Sequence, residues 1–163
     1  MPATYVAQRT PGILCLKRKH QLIDARHLCS EAMSASIIPL HVLTGCDHSS
    51  GFYGASKKVI ADRLEKSKEA QDLLATCGTH LPVTQEVISD LEQFVIRYVY
   101  GDTKNKNPRD ARAAKWRRQN KKSTIRLVPE SDSLRPHLAR TNYLTYLLKN
   151  YHLQSHPSPI GHR

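Results

Sequence analysis

The residues best placed to do chemistry in this chain lie in one stretch, Leu40-His41-Val42-Leu43-Thr44-Gly45-Cys46-Asp47-His48-Ser49-Ser50-Gly51-Phe52-Tyr53-Gly54-Ala55-Ser56-Lys57-Lys58. An apolar segment, Ile37 to Leu43, carries little polar content, should be buried, and delivers the carboxylate of Asp47 at its exit. Gly51 and Gly54 follow, and Ser56 then reads as the N-cap of a helix whose first turn holds Lys57 and Lys58. This order puts one hard oxygen ligand beside a turn whose backbone N–H groups are free to face a phosphate. The two lysines supply countercharge. Asp47 has a second role open to it, because glycine turns often need such a carboxylate for folding alone.

Other chemistries are less well served. Cys46-x-His48 and Cys77-x-x-His80 would supply four zinc ligands, but the Cys-x-His spacing is unusual for a zinc site. Against zinc stands a small buried Cys46, a helix stop at Cys77 and exposed histidines. Cys29, Cys46 and Cys77 each have a His nearby, yet closeness in sequence is not a dyad. No serine sits in a nucleophile elbow and no glycine loop has Walker spacing.

The formal charge is +11 and it is unevenly spread. Between Lys104 and Arg126 ten Lys and Arg stand against one acid, Asp110, so this stretch alone carries +9. Such clustering favours a polyphosphate partner, since each neutralised phosphate releases condensed counterions. A solvated helix face or a nuclear-import signal would give the same pattern. The four cysteines lack the paired spacing of secreted scaffolds, and the first twenty residues lack the apolar core of a signal peptide. The longest uncharged run, Ala32 to Cys46, is broken by Pro39 and is shorter than the roughly 20 apolar residues of a membrane span. Reduced thiols, a nuclear or cytoplasmic location and no membrane partner are the expectation.

Elements that must position these residues can be read from the pattern. One domain is expected over 13–151, after a loose lead-in (1–12) and before a disordered tail (152–163). A short strand at 13–16 is cut off by the basic run Lys17 to His20. Asp24 is a candidate N-cap for a helix with Leu28 and Ala32 on one face. The Ser56 helix runs through Lys66 with Val59, Ile60, Arg63 and Leu64 on one face. Leu73-Leu74 extend its pattern to a stop at Cys77-Gly78. Pro82 and Thr84 open the best amphipathic stretch: Val87, Ile88, Leu91, Phe94, Val95, Tyr98 and Val99, ended by Gly101. A basic helix follows Asn107-Pro108, with Ala111, Ala114 and Trp116 as its buried side. Ser131 or Ser133 caps a last helix to Tyr151, with Leu138, Tyr143, Tyr146, Leu147 and Leu148 inward. The fold class is mainly α, with five or six helices and at most one short strand.

The 44–58 stretch resembles the Gly-x-Asp element and following helix–hairpin–helix of flap-endonuclease-like nucleases of the PIN-like fold. It is closer still to mobile-element-associated animal proteins whose version runs Thr-Gly-Cys-Asp, a Ser/Thr pair, an aromatic pair and a Gly-Lys-rich turn. Thr44 to Asp47, Ser49-Ser50, Phe52-Tyr53, Gly54 and Lys57-Lys58 sit in register with it. Phe94 to Gly101, Asn107 to Arg112 and Arg140-Thr141-Asn142-Tyr143 extend the likeness over about 120 of the 163 residues. The resemblance implies the C-terminal part of a truncated PIN-like α/β nuclease domain, with Asp47 as a metal-binding aspartate. It implies a hairpin, Gly51 to Lys58, that grips DNA in preference to RNA. In such enzymes carboxylates from the N-terminal half hold two divalent ions, usually Mg²⁺, which activate water for attack on a phosphodiester. Here no Asp-x-Asp or Glu-x-x-Asp cluster precedes Asp47, and Asp24 and Glu31 match no acidic position of the pattern. Ser56 also stands where the pattern has a glycine, which narrows the hairpin's backbone freedom.

The expectation is therefore a nucleic-acid-binding fragment, not catalytic alone, with Mg²⁺ only if the nuclease reading holds. Its contacts would be Gly51, Gly54, Ser56, Lys57, Lys58, Arg112, Lys115, Arg117, Arg118, Lys121 and Lys122. Two alternatives stay open. One is a catalytically dead remnant that binds a protein partner through an exposed apolar patch over 87–99. The other is a nuclease completed in trans by an N-terminal half.

Overall fold

The computed structural model describes residues 15–18, 21–24, 31–119, 124 and 126–151, with side chains from residue 35 onward. The lead-in, the tail, Leu28, Lys121 and Lys122 lie outside the described residues. Two four-residue strands, β1 (Cys15–Arg18) and β2 (Gln21–Asp24), pair antiparallel with Arg18 opposite Gln21. Of the strand expected at 13–16, residues 13 and 14 lie outside the described residues, and the described strand runs on to Arg18. Lys17 and Arg18 do not end it, because both strands of a lone ribbon are edges, where charge is tolerated. Asp24 pairs with Cys15 at the end of β2, and the residues just after it, where the expected helix would start, lie outside the described residues.

Six α-helices follow among the described residues: α1 (Glu31–Leu43), α2 (Lys57–Glu65), α3 (Lys68–Ala75), α4 (Gln85–Phe94), α5 (Pro108–Arg118) and α6 (Ser131–Lys149), and the mainly α class is the one the sequence predicts. The apolar 37–43 segment forms the C-terminal half of α1. That helix packs on α3 and α6, α3 packs on α4, and α4 returns to α6. Leu43, Leu64, Leu74, Leu91, Phe94, Leu134 and Leu138 fill the space between them, each almost wholly removed from water.

Local chemistry explains where each helix begins and ends. Thr84 caps α4 by accepting from the Val87 N–H, and Val87, Ile88, Leu91 and Phe94 form its buried stripe. The helix then widens into one π turn, Val95–Val99, which turns Val95, Ile96 and Val99 inward as well. The apolar residues of 87–99 are consequently core, and no exposed patch exists there. Ser67 accepts from the Ala70 N–H and starts α3 as a helix of its own, so Leu73 and Leu74 do not extend α2. On α2, Ile60 and Leu64 are buried, whereas Val59 and Arg63 face out.

Asn107 and Pro108 open α5 as the sequence predicts, with Asn107 Oδ1 accepting from the Asp110 N–H at 2.8 Å. Ala111 is its buried anchor against Ile96 and Val128, while Ala114 and Trp116 are only half-buried. Glu130, not Ser131 or Ser133, occupies the cap position of α6. The inward stripe of α6 is Leu134, Leu138, Thr141, Asn142 and Thr145, and Leu148 is exposed. Helical spacing selects this stripe over the apolar residues at 143–148. Its polar members are tolerated because they find partners inside.

Candidate nucleic-acid interface

The connection from α1 to α2 is pinched shut at its neck by two glycines. A Cβ on Gly51 would lie 2.5 Å from the Thr44 carbonyl oxygen, and one on Gly45 would lie 2.9 Å from the Gly51 nitrogen. Gly45 also has a φ of 105°, a conformation that side chains disfavour. Beyond the neck, Cys46 and Ser49 exchange both backbone hydrogen bonds, at 3.0 and 3.1 Å. Asp47 and His48 therefore stand exposed at the tip of a tight turn. Thr44 Oγ1 donates to the Leu40 carbonyl and Ser49 Oγ to that of Val42, tying the turn to the end of α1.

Lys57 fastens the other side by donating from Nζ to the Gly45 carbonyl at 2.6 Å. Its ammonium lies 3.4 Å from His41 Nδ1, and His41 has its pKa lowered by burial and by that charge, against the opposing pull of Asp47. Gly51 and Lys57 thus shape the turn, while Lys58 is exposed. Ser56 has φ −78° and ψ 122°, extended backbone that any residue adopts. A glycine is not needed there, and the serine hydroxyl makes no capping bond.

The basic segment abuts this turn. Phe52 packs edge-on against Tyr100, with ring centroids 5.9 Å apart, and Lys115 Nζ sits 4.5 Å above the Tyr100 ring. Arg126 lies against Gly54, where an added Cβ would meet its Nε at 3.0 Å. Burial, and then the charges of Arg118 and Arg126, lower the Lys115 pKa. Two other cations of the segment are structural. Arg118 pairs with buried Asp102 at 2.8 Å, and Arg112 donates to the Val128 carbonyl and pairs with Glu130. Burial raises the Asp102 pKa, but hydrogen bonds from Asn105 and Lys104 and the charge of Arg118 outweigh it and leave the group lowered. Among the described residues, Lys58, Lys115, Arg117, Arg126 and Arg140 are in no ion pair with an acid.

On the far side of Phe52 the turn borders an open cleft of about 720 Å³, formed by residues 46–50 with Pro136, His137 and Arg140 of α6. His137 packs edge-on against Phe52 at 5.3 Å and its Nε2 lies 3.1 Å from the Leu43 carbonyl, to which it can donate. Burial lowers the His137 pKa, the Leu43 carbonyl partly restores it, and Arg140 lowers it again. Cys46, partly open to the cleft, has a lowered pKa: burial raises it, but hydrogen bonds from Ser49 and from the His48 and Ser49 backbone prevail. Cys77 is buried against Thr145, and burial pushes its thiol up to about 11.

Asp47 is the one carboxylate among the described residues of the cleft wall. No group of three or more His, Cys, Asp or Glu able to hold a metal ion occurs among the described residues. These residues do not by themselves fit a two-Mg²⁺ centre. Neither His137 nor Arg126 is marked as a site residue by the sequence pattern. His137 meets Leu43 across 94 positions of chain, which no local pattern reveals. Arg126 was visible only within the charge run.

The chain matches no protein-family model, no curated protein and no solved structure. No helix among the described residues is long and apolar enough to cross a membrane.

Proposed function

We propose that this chain binds nucleic acid, DNA in preference to RNA, through its phosphates, as a nuclease-like fragment that is not catalytic alone. The observation that carries the reading is the junction of two separate basic segments: Phe52 on Tyr100 beneath Lys115, and Arg126 on Gly54. It brings Arg126 directly onto Gly54, and Lys115 by way of the Tyr100 ring, to the turn that precedes Lys58, although both cations lie far along the sequence from it. Cations held without acid partners are the groups that release counterions when phosphate arrives. Backbone contacts of this kind position a strand without reading its bases. The alternative of a remnant that docks a protein loses its main support, because the apolar residues of 87–99 lie in the core.

The reading is tested by fluorescence anisotropy of labelled 5′-flap DNA, plain duplex and single strand across a salt series, with and without Mg²⁺. Affinity should fall steeply with salt, with a log–log slope of about −0.9 for each phosphate neutralised on duplex. Flat salt dependence or absence of binding at low salt would overturn it. Mg²⁺-dependent shortening of the probe would show that the chain is catalytic alone.

A further inference from the structure

The cleft beside the turn holds two opposite charges that do not neutralise each other. Arg140, on α6, and Asp47, at the turn tip, both line it, yet neither is in an ion pair among the described residues. Both are exposed. His48 and Ser50 on the same wall add hydrogen-bonding groups. At about 720 Å³ the cleft falls within the roughly 300–1,000 Å³ of small-ligand sites.

An occupant that satisfies this wall must bring an anion for Arg140 and a hydrogen-bond donor for Asp47. An internal DNA phosphate brings only acceptors and negative charge, which Asp47 repels. A terminal nucleotide is different, because its sugar carries a phosphate and, a few bonds away, a free hydroxyl. We propose that the cleft holds the terminal nucleotide of a DNA strand, with Arg140 on the phosphate and Asp47 accepting from the hydroxyl. Phe52 connects this cleft to the basic surface, since it touches His137 on one side and Tyr100 on the other. A strand running along Lys115 and Arg126 can thus deliver its end past Phe52 into the cleft. The proposal rests on the nucleic-acid-binding reading above and adds an end preference to it.

The test compares a linear single-stranded DNA with free hydroxyls at both ends and a covalently closed circle of the same sequence, by competition against a labelled strand. The linear form should bind at least about tenfold tighter, the scale of one hydrogen bond to a charged group. Capping one terminus, as a 3′-dideoxy or a 5′-phosphate end, should abolish the preference and identify which end enters. Asp47→Asn should reduce the difference between hydroxyl and capped ends. Arg140→Ala should weaken the linear form more than the circle and so narrow the gap between them. Equal binding of circle and line overturns the end site while the phosphate-binding reading stands. Binding of neither overturns both. A linear preference that survives Asp47→Asn and Arg140→Ala places the end elsewhere and also overturns the proposal.

Discussion

Two corners of this molecule are built from similar residues and end in opposite states. At both, a cysteine sits beside a glycine just past the end of a helix, with a histidine two or three positions on: Gly45-Cys46-x-His48 and Cys77-Gly78-x-His80. The first is closed by its own backbone and turns its side chains outward. The second is sealed by α6. Asn142 Oδ1 accepts from the Gly78 N–H at 2.7 Å, Asn142 Nδ2 donates to the His80 carbonyl at 3.0 Å, and Lys149 donates to the Cys77 carbonyl at 2.7 Å. A corner becomes available to a ligand when the hydrogen bonds that define it are satisfied locally. It becomes core when a distant element must supply them.

The comparison can be broken first at the sealed corner. A Cβ on Gly78 would fall 2.5 Å from Thr145 Cγ2 and 2.8 Å from the Tyr146 nitrogen, at a φ of 73°. Gly78→Ala should cost about 2–5 kcal/mol, from overpacking and left-handed strain together, as read by chemical denaturation. Asn142→Ala should follow at about 2–4 kcal/mol, because it orphans the Gly78 N–H and the His80 carbonyl. At the open corner, Gly51→Ala presses on the Thr44 carbonyl alone and should cost about 1–3 kcal/mol. If Gly51→Ala destabilises more than Gly78→Ala, the two corners have been assigned the wrong way round.

Thiol chemistry sharpens the same contrast without a mutation. With its pKa lowered and its sulfur partly open, Cys46 should alkylate in the folded protein near pH 8. Cys77, held at about 11 and buried, should react only after unfolding. Peptide mapping after a brief iodoacetamide pulse separates the two. Equal labelling would contradict the sealed corner.

The smallest effect expected is on pH dependence. His137 has a lowered pKa in the fold, so below its ordinary value of 6.5 the unfolded chain binds more protons than the native one. Its contribution to stability is present above about pH 6.5 and is lost as pH falls. His41, also lowered, acts in the same sense. The denaturation midpoint should drop between pH 7 and 5, and His137→Gln should flatten part of that fall. A midpoint that rises as pH falls would show that these histidines are better charged in the fold.

Much of this architecture was legible because it is local. The stripe of α4, the Asn107-Pro108 start of α5 and the positions of the turn glycines follow from spacing and backbone freedom. What escaped depends on distant partners. Thr141, Asn142 and Thr145 are not among the residues the sequence marks as inward on this helix, which are Leu138, Tyr143, Tyr146, Leu147 and Leu148. Asn142 and Thr145 bond the Cys77 corner, and Thr141 satisfies its hydroxyl on the His137 carbonyl of its own helix. The Asp47 turn was found from its residue types, but its cleft needed α6, and its basic border needed Phe52 to meet Tyr100. Lys57 illustrates the limit of charge counting. It was grouped with Lys58 as countercharge, and the fold uses its ammonium to hold the Gly45 carbonyl.

The most direct test of the joint phosphate-binding surface is the salt dependence of duplex DNA binding by the intact chain and by Lys58→Ala/Arg126→Ala, which spares the structural Lys57. Each lost phosphate contact should reduce the log–log salt slope by about 1, so the double variant should bind more weakly with a slope shallower by about 2. An unchanged slope and affinity in the folded variant would contradict the account and leave the positive charge of the chain a general property of its surface.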